Sequence, residues 1–253
     1  MSVVMQFVVL GLLQGLTEFL PVSSSGHLVL FSEYFGIEET LFVSIILHVA
    51  TLLSICFVMR KELWQIIKNP FSKEMRNLVI SSIATFFMVL LLYDFAKSSY
   101  LDNYVPFFFM LTASVLILTD IFAPQKTNGS NELNKTQSLI MGVAQGIAVF
   151  PGLSRSGATI CAGVFSGANK ERVAKHSFLM SIPIILASLV MEMVDLGEFG
   201  LLSVPILPLI LGFVIAFLVG VLSLKFMIKL TCKVKFRYFA YYLIVLSIIS
   251  LIL

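Results

Sequence analysis

Nine residues in two short stretches carry groups able to do chemistry. Glu18, Ser23, Ser24, Ser25 and His27 lie in the first, and Ser154, Arg155, Ser156 and Thr159 lie in the second. An arginine presents a planar fork of donors that matches phosphate, and a helix N-terminus offers unpaired N–H groups at its positive end. Serine and threonine hydroxyls and loop amides add donors without bulk. Together these describe an anion site, a phosphate above all. A serine with a nearby histidine can do nucleophilic or acid–base chemistry. A lone glutamate there can hold a divalent cation against phosphate oxygens or orient the histidine.

The elements that must position these groups are dictated by an unusual composition. The chain has 253 residues, of which 58% are hydrophobic and only 12% charged, against roughly 25% charged in ordinary soluble domains. A mean hydropathy of +1.00 leaves too little polar surface to cover a water-soluble globule. Soluble enzyme, nucleic-acid binder and disordered linker are excluded, and an integral membrane protein is expected. The net charge is +3, and Cys56, Cys161 and Cys232 are too scattered for a metal motif or a disulfide framework. Arg60 is the first basic residue, so a signal peptide's positive start is missing and the N-terminal stretch is expected in the mature protein.

Charge-free runs of about 20 residues read as transmembrane helices. Six are expected, at residues 41–59, 77–93, 103–119, 176–191, 199–224 and 238–253. Two further apolar stretches are interrupted. Residues 1–32 are broken by Pro21-Val-Ser-Ser-Ser-Gly26, and residues 136–169 by Pro151-Gly-Leu-Ser-Arg-Ser-Gly157. Half-helices around a Gly/Pro/Ser loop suit re-entrant segments, because irregular backbone survives at membrane depth only inside protein or a wet cavity. With both stretches re-entrant, loops 60–76, 123–137, 167–176 and 225–237 share one side and hold 15 of the 17 Lys and Arg residues. Only Lys97 falls opposite, and Arg155 lies within a loop. The basic side is then cytoplasmic, with both termini outside and the site opening outward. If either broken segment crossed alone, this segregation would collapse.

Sliding the chain by 131 residues aligns 11–27 with 142–158 without a gap. Gly11, Gln14, Gly15, Phe19, Ser23, Ser25 and Gly26 fall on Gly142, Gln145, Gly146, Phe150, Ser154, Ser156 and Gly157. Seven identities in 17 positions favour a duplication, with halves 1–122 and 136–253 and a linker at 123–135. Each half is one broken segment plus three spans. Three is odd, so the second half is inverted, and the broken segments meet near the midplane. The expected fold is therefore an all-α polytopic membrane protein with six transmembrane helices and two re-entrant segments in an inverted-topology repeat. Ionisable groups at that depth are costly and point to function. Apolar walls around them suit a lipid-linked phosphate.

At these residues the sequence resembles the undecaprenyl-diphosphatase family, also called the bacitracin-resistance proteins. One signature is Gln14-Gly-Leu-Thr-Glu18-Phe-Leu-Pro-Val-Ser-Ser-Ser-Gly-His27, and the other is Pro151-Gly-Leu-Ser-Arg-Ser-Gly-Ala-Thr159. The resemblance covers essentially the whole chain. It implies hydrolysis of undecaprenyl diphosphate to undecaprenyl phosphate and inorganic phosphate, regenerating a lipid carrier for cell-wall polymers in the plasma membrane. It further implies a divalent cation, Mg2+ or Ca2+, and puts the essential acid on Glu18, the histidine on His27 and the arginine on Arg155. The nucleophile falls on Ser24, with His27 as the other candidate.

Many members carry a glutamate where this chain has Gln14, which leaves Glu18 as the only carboxylate in the two loops and the expected metal ligand. Position 25 is Ser where Thr is common. The expected substrate-binding set is Gln14, Ser23, Ser25, Gly26, Ser154, Ser156, Gly157 and Thr159. Arg155 and the second-loop hydroxyls hold the diphosphate, Ser24 attacks the terminal phosphorus, and His27 takes its proton. The expected partners are a polyprenyl diphosphate and the bilayer, with no nucleic acid and room for a homodimer. A transporter or flippase of a phosphorylated polyprenyl lipid is the other class that the repeat supports. His48, in the middle of the first span, either faces the site or packs there. Trp64, Tyr241 and Tyr242 suit an interfacial belt.

Overall fold

A computed structural model describes residues 1–37, 40–101, 104–124, 132–196 and 205–252. Residues 125–131 of the expected linker lie outside the described residues, as does the side chain of Lys97. Eleven helices and no strand are found among the described residues. This follows from the solvent: in lipid each backbone N–H and C=O must be satisfied within its own segment, and these apolar runs achieve that as helices.

The first broken stretch forms α1 (Val3–Thr17) and α2 (Ser24–Phe35), and the second forms α7 (Lys135–Ile147) and α8 (Arg155–Phe165). Between them run α3 (Thr40–Val58), α4 (Arg60–Lys68), α5 (Lys73–Leu101) and α6 (Val105–Phe122). The chain ends with α9 (Lys170–Leu196), α10 (Ile206–Thr231) and α11 (Arg237–Ile252). Four helices are long and apolar enough to cross a membrane, and a fifth span is formed if α3 and α4, bent by 73°, are taken together. The last expected span, 238–253, is instead the shorter apolar helix α11 of 16 residues.

The expected loop 60–76 holds a helix of its own, α4. Its polar surface and basic start suit the membrane edge. Ile66 is buried while Trp64 and Ile67 are exposed. Glu62 in its first turn and Lys68 in its last complement the helix dipole.

Packing repeats the 131-residue offset in space. Helix α1 packs on α10, and α7 packs on α5, so each first half-helix leans on a long helix of the opposite half. A Cβ on Gly11 would lie 2.3 Å from the carbonyl oxygen of Gly212, and one on Gly142 would lie 2.4 Å from that of Ser81. Ser81 and Gly212 are themselves 131 residues apart. Only glycine permits either approach, and the two seams match residue for residue. Around the loops, Phe19, Phe109, Met141, Ile160 and Met180 form the centre of a continuous apolar core.

Candidate functional site

The breaks that end α1 and α7 bring the two loops together. Each restarting helix is capped by a matched serine: Gly26 N–H donates to Ser23 Oγ at 3.5 Å, and Gly157 N–H donates to Ser154 Oγ at 3.0 Å. Each pair of flanking hydroxyls is equally spaced, Ser23 to Ser25 and Ser154 to Ser156, both at 3.3 Å. Ser23 has a φ of 64°, a left-handed conformation that costs a non-glycine residue energy and is common at functional turns. The second loop is held by Thr112 of α6, which accepts from Ser154 N–H and donates to the Gly152 carbonyl, both at 3.1 Å. Ser156 Oγ donates across to the Leu20 carbonyl at 2.9 Å and ties the loops to each other.

Glu18 is where they converge. It follows the end of α1 with only 5% of its surface exposed. Ser24 Oγ, at the start of α2, donates to its Oε2 at 2.5 Å. The Arg155 guanidinium, at the start of α8, pairs through Nη2 with its Oε1. Gln14 Nε2 donates to Oε2 at 3.0 Å and to Thr51 Oγ1 at 3.2 Å. His48 Nε2 of α3 lies 3.6 Å from the same Oε2. One carboxylate thus receives a hydroxyl from one loop and a guanidinium from the other, with the positive ends of two helices beside it.

Two polar atoms here are buried without a hydrogen-bond partner, Arg155 Nη1 and Gln14 Oε1. Buried polar groups are nearly always satisfied, so each is a group able to take a ligand atom. The spare guanidinium donor suits a phosphate oxygen, and the spare amide oxygen suits a cation or a donor.

His27 stands apart from this cluster. Its Nδ1 meets the Ser23 carbonyl at 2.7 Å and its Nε2 meets the Tyr242 hydroxyl at 2.7 Å. Its ring lies parallel to Tyr242 and edge-on to Phe109. A carbonyl only accepts, so Nδ1 carries the hydrogen and Tyr242 donates to Nε2 of the neutral ring. The acceptor that Ser24 meets is therefore Glu18, where His27 was expected. Thr159 is drawn into helix packing: its hydroxyl bonds the Ser177 hydroxyl at 2.6 Å and donates to the Arg155 carbonyl. Ser23, Ser154, Gly26 and Gly157 serve the caps.

Tyr242, Thr51 and Thr112 are contributors that the sequence does not announce, and His48, which could equally have packed, faces the site. Tyr242→Phe keeps the ring contact and frees His27 Nε2. Carbethoxylation of His27, followed by peptide mass spectrometry, should quicken several-fold, whereas Tyr241→Phe should leave it unchanged.

Comparison with known proteins settles the family. Residues 7–249 match the model described as "Bacitracin resistance protein BacA". The chain belongs to this family. An undecaprenyl-diphosphatase of Carboxydothermus hydrogenoformans is 37% identical over 98% of this chain and 96% of its own. Those of Bacteroides thetaiotaomicron and Thermosipho africanus are each 39% identical, over 94% and 97% of this chain and 94% and 98% of theirs. The bacitracin-resistance family match covers both loops and every residue of the Glu18 cluster.

Proposed function

We propose that this multi-pass membrane protein is an undecaprenyl-diphosphate phosphatase, which returns the lipid carrier as undecaprenyl phosphate and thereby confers bacitracin resistance. One observation carries the reading at atomic level: a buried carboxylate, Glu18, shared by the Ser24 hydroxyl and the Arg155 guanidinium, with Arg155 Nη1 still unfilled. Phosphoryl transfer depends chiefly on positioning and charge neutralisation, and these groups supply both.

In this mechanism Arg155 turns from Glu18 to the diphosphate, and the N–H groups at the starts of α2 and α8 add donors. Ser24 Oγ attacks the terminal phosphorus and passes its proton to Glu18 Oε2. The bond to the bridging oxygen breaks, undecaprenyl phosphate leaves, and water releases phosphate from the serine. His27 organises the turn through the Ser23 carbonyl. It takes part in proton transfer only when the Tyr242 hydroxyl releases its Nε2.

A divalent cation, Mg2+ or Ca2+, belongs to this reading. The donors fit: Glu18 is a carboxylate, Gln14 Oε1 is a buried oxygen without a partner, and Ser24 Oγ adjoins Glu18. These are the hard oxygens that such ions take, with substrate phosphates completing the shell. When bound, the ion neutralises phosphate charge. Six spans and two re-entrant segments in inverted halves, set in the cell membrane with termini and site facing outward, complete the proposal. The segregation of Lys and Arg and the exchanged α1–α10 and α7–α5 packing support it. A non-permeant thiol reagent should label Ser25→Cys from outside, and labelling only from the cytoplasm would overturn the orientation.

The deciding assay is phosphate release from a long-chain polyprenyl diphosphate by purified protein in detergent. Wild type should turn over, a chelator should stop it, and Glu18→Gln should abolish it. No release by well-folded wild type, across metals and chain lengths, would move the assignment to transport of a phosphorylated lipid.

A further inference from the structure

We infer that His48 Nε2 is a ligand to the divalent cation of this site, which gives it a nitrogen donor and a preference for first-row transition cations over Ca2+. The inference rests on the cation in the functional reading above and adds to it a residue and a selectivity.

The argument starts from the tautomer. His48 Nδ1 lies 2.8 Å from the Ser44 carbonyl one turn back on α3. That oxygen can only accept, so Nδ1 carries the hydrogen and Nε2 is the ring nitrogen left to meet a ligand. Nε2 faces Glu18 Oε2 at 3.6 Å, beyond hydrogen-bond length. Oε2 in turn accepts from Ser24 and Gln14. Nε2 and Oε2 therefore face each other across a short gap that no hydrogen bond closes. A cation seated between them would be held by both atoms.

A second observation points the same way. Gln14 Oε1 is fully buried without a partner, although the amide nitrogen of the same side chain is bonded to Glu18 Oε2. The half-filled set is thus one carboxylate oxygen, one imidazole nitrogen and one amide oxygen. Among the described residues no three His, Cys, Asp or Glu side chains form a metal cluster, so the protein alone is not a closed cage. This is the pattern of an ion that completes its shell with substrate phosphate and water. A Ca2+ site is built of oxygen alone, whereas imidazole suits first-row transition ions. Arg155 occupies the other oxygen of Glu18, and a phosphate group draws that guanidinium away as the ion arrives.

The test uses the full chain in detergent, with Mn2+ as the paramagnetic probe and inorganic phosphate present. Pulsed EPR should show coupling to a 14N nucleus that changes when histidine is supplied as 15N. In His48→Gln, which substitutes an oxygen donor, the histidine coupling should vanish while Mn2+ still binds, weakened by roughly tenfold. The preference for Mn2+ over Ca2+ should fall with it. Bound Mn2+ without histidine coupling, or coupling that persists in His48→Gln, would overturn the role of His48 and leave the cation reading standing. Failure of active enzyme to bind any Mn2+ would overturn the inference through the cation itself. The 15N comparison in wild type decides the matter even if the variant does not fold.

Discussion

Arg155→Ala should lower kcat/KM by about 10³-fold or more, the scale on which a charge-neutralising arginine acts in phosphoryl transfer. The variant loses the donor whose Nη1 waits without a partner and the counter-charge of Glu18 in one step. Its stability should fall too, because stripping one member from a buried ion pair strands the other, at a cost of about 3–5 kcal/mol. Arg155→Lys separates the two effects. A lysine restores a positive charge beside Glu18 but has no planar fork to bridge carboxylate and phosphate. The melting temperature should recover most of the way while turnover stays low. Recovery of both would reduce Arg155 to a strut between the loops.

Ser24→Ala should be the other near-null variant, down about 10³-fold or more, since loss of a nucleophile leaves only binding and electrostatics. Ser25→Ala, one residue along the same turn, should lose no more than a few-fold, because its hydroxyl meets Ser23 and not Glu18. In Ser24→Ala no phosphoryl-enzyme should be trapped by acid quench, while KM should stay within a few-fold of wild type. Near-normal turnover in Ser24→Ala beside a dead His27→Ala would transfer the attack to His27 or to water.

Much of this was legible before any coordinates. The 131-residue identities point to both loops, and the structure makes Ser23 and Ser154 their matched caps, a position where a restarting helix favours serine. The expected meeting of the two loops appears directly, with Glu18 of the first against Arg155 of the second. What the sequence withheld was the company each group keeps across distance. Tyr242 reads as a belt residue, since nothing in the tail of the chain announces that its hydroxyl reaches a ring 215 residues earlier. His27 reads as the partner of Ser24 because they sit one helical turn apart, yet its nitrogens are claimed by Ser23 and Tyr242. Thr159 reads as a phosphate donor until α9 brings Ser177 against it. Helix α4 reads as loop because its charges hide a short amphipathic face.

The exchanged packing of the half-helices sets a timetable for biosynthesis. Helix α1 leaves the ribosome first, but the α10 backbone that its Gly11 seam fits begins at Ile206. At ordinary elongation speeds of 5–20 residues per second, that interval is roughly 10–40 s. The nascent amino-terminal half must wait in the translocon or lipid with its glycine groove open, and the first loop closes only after most of the chain has been made. Neither half is a finished unit without the other.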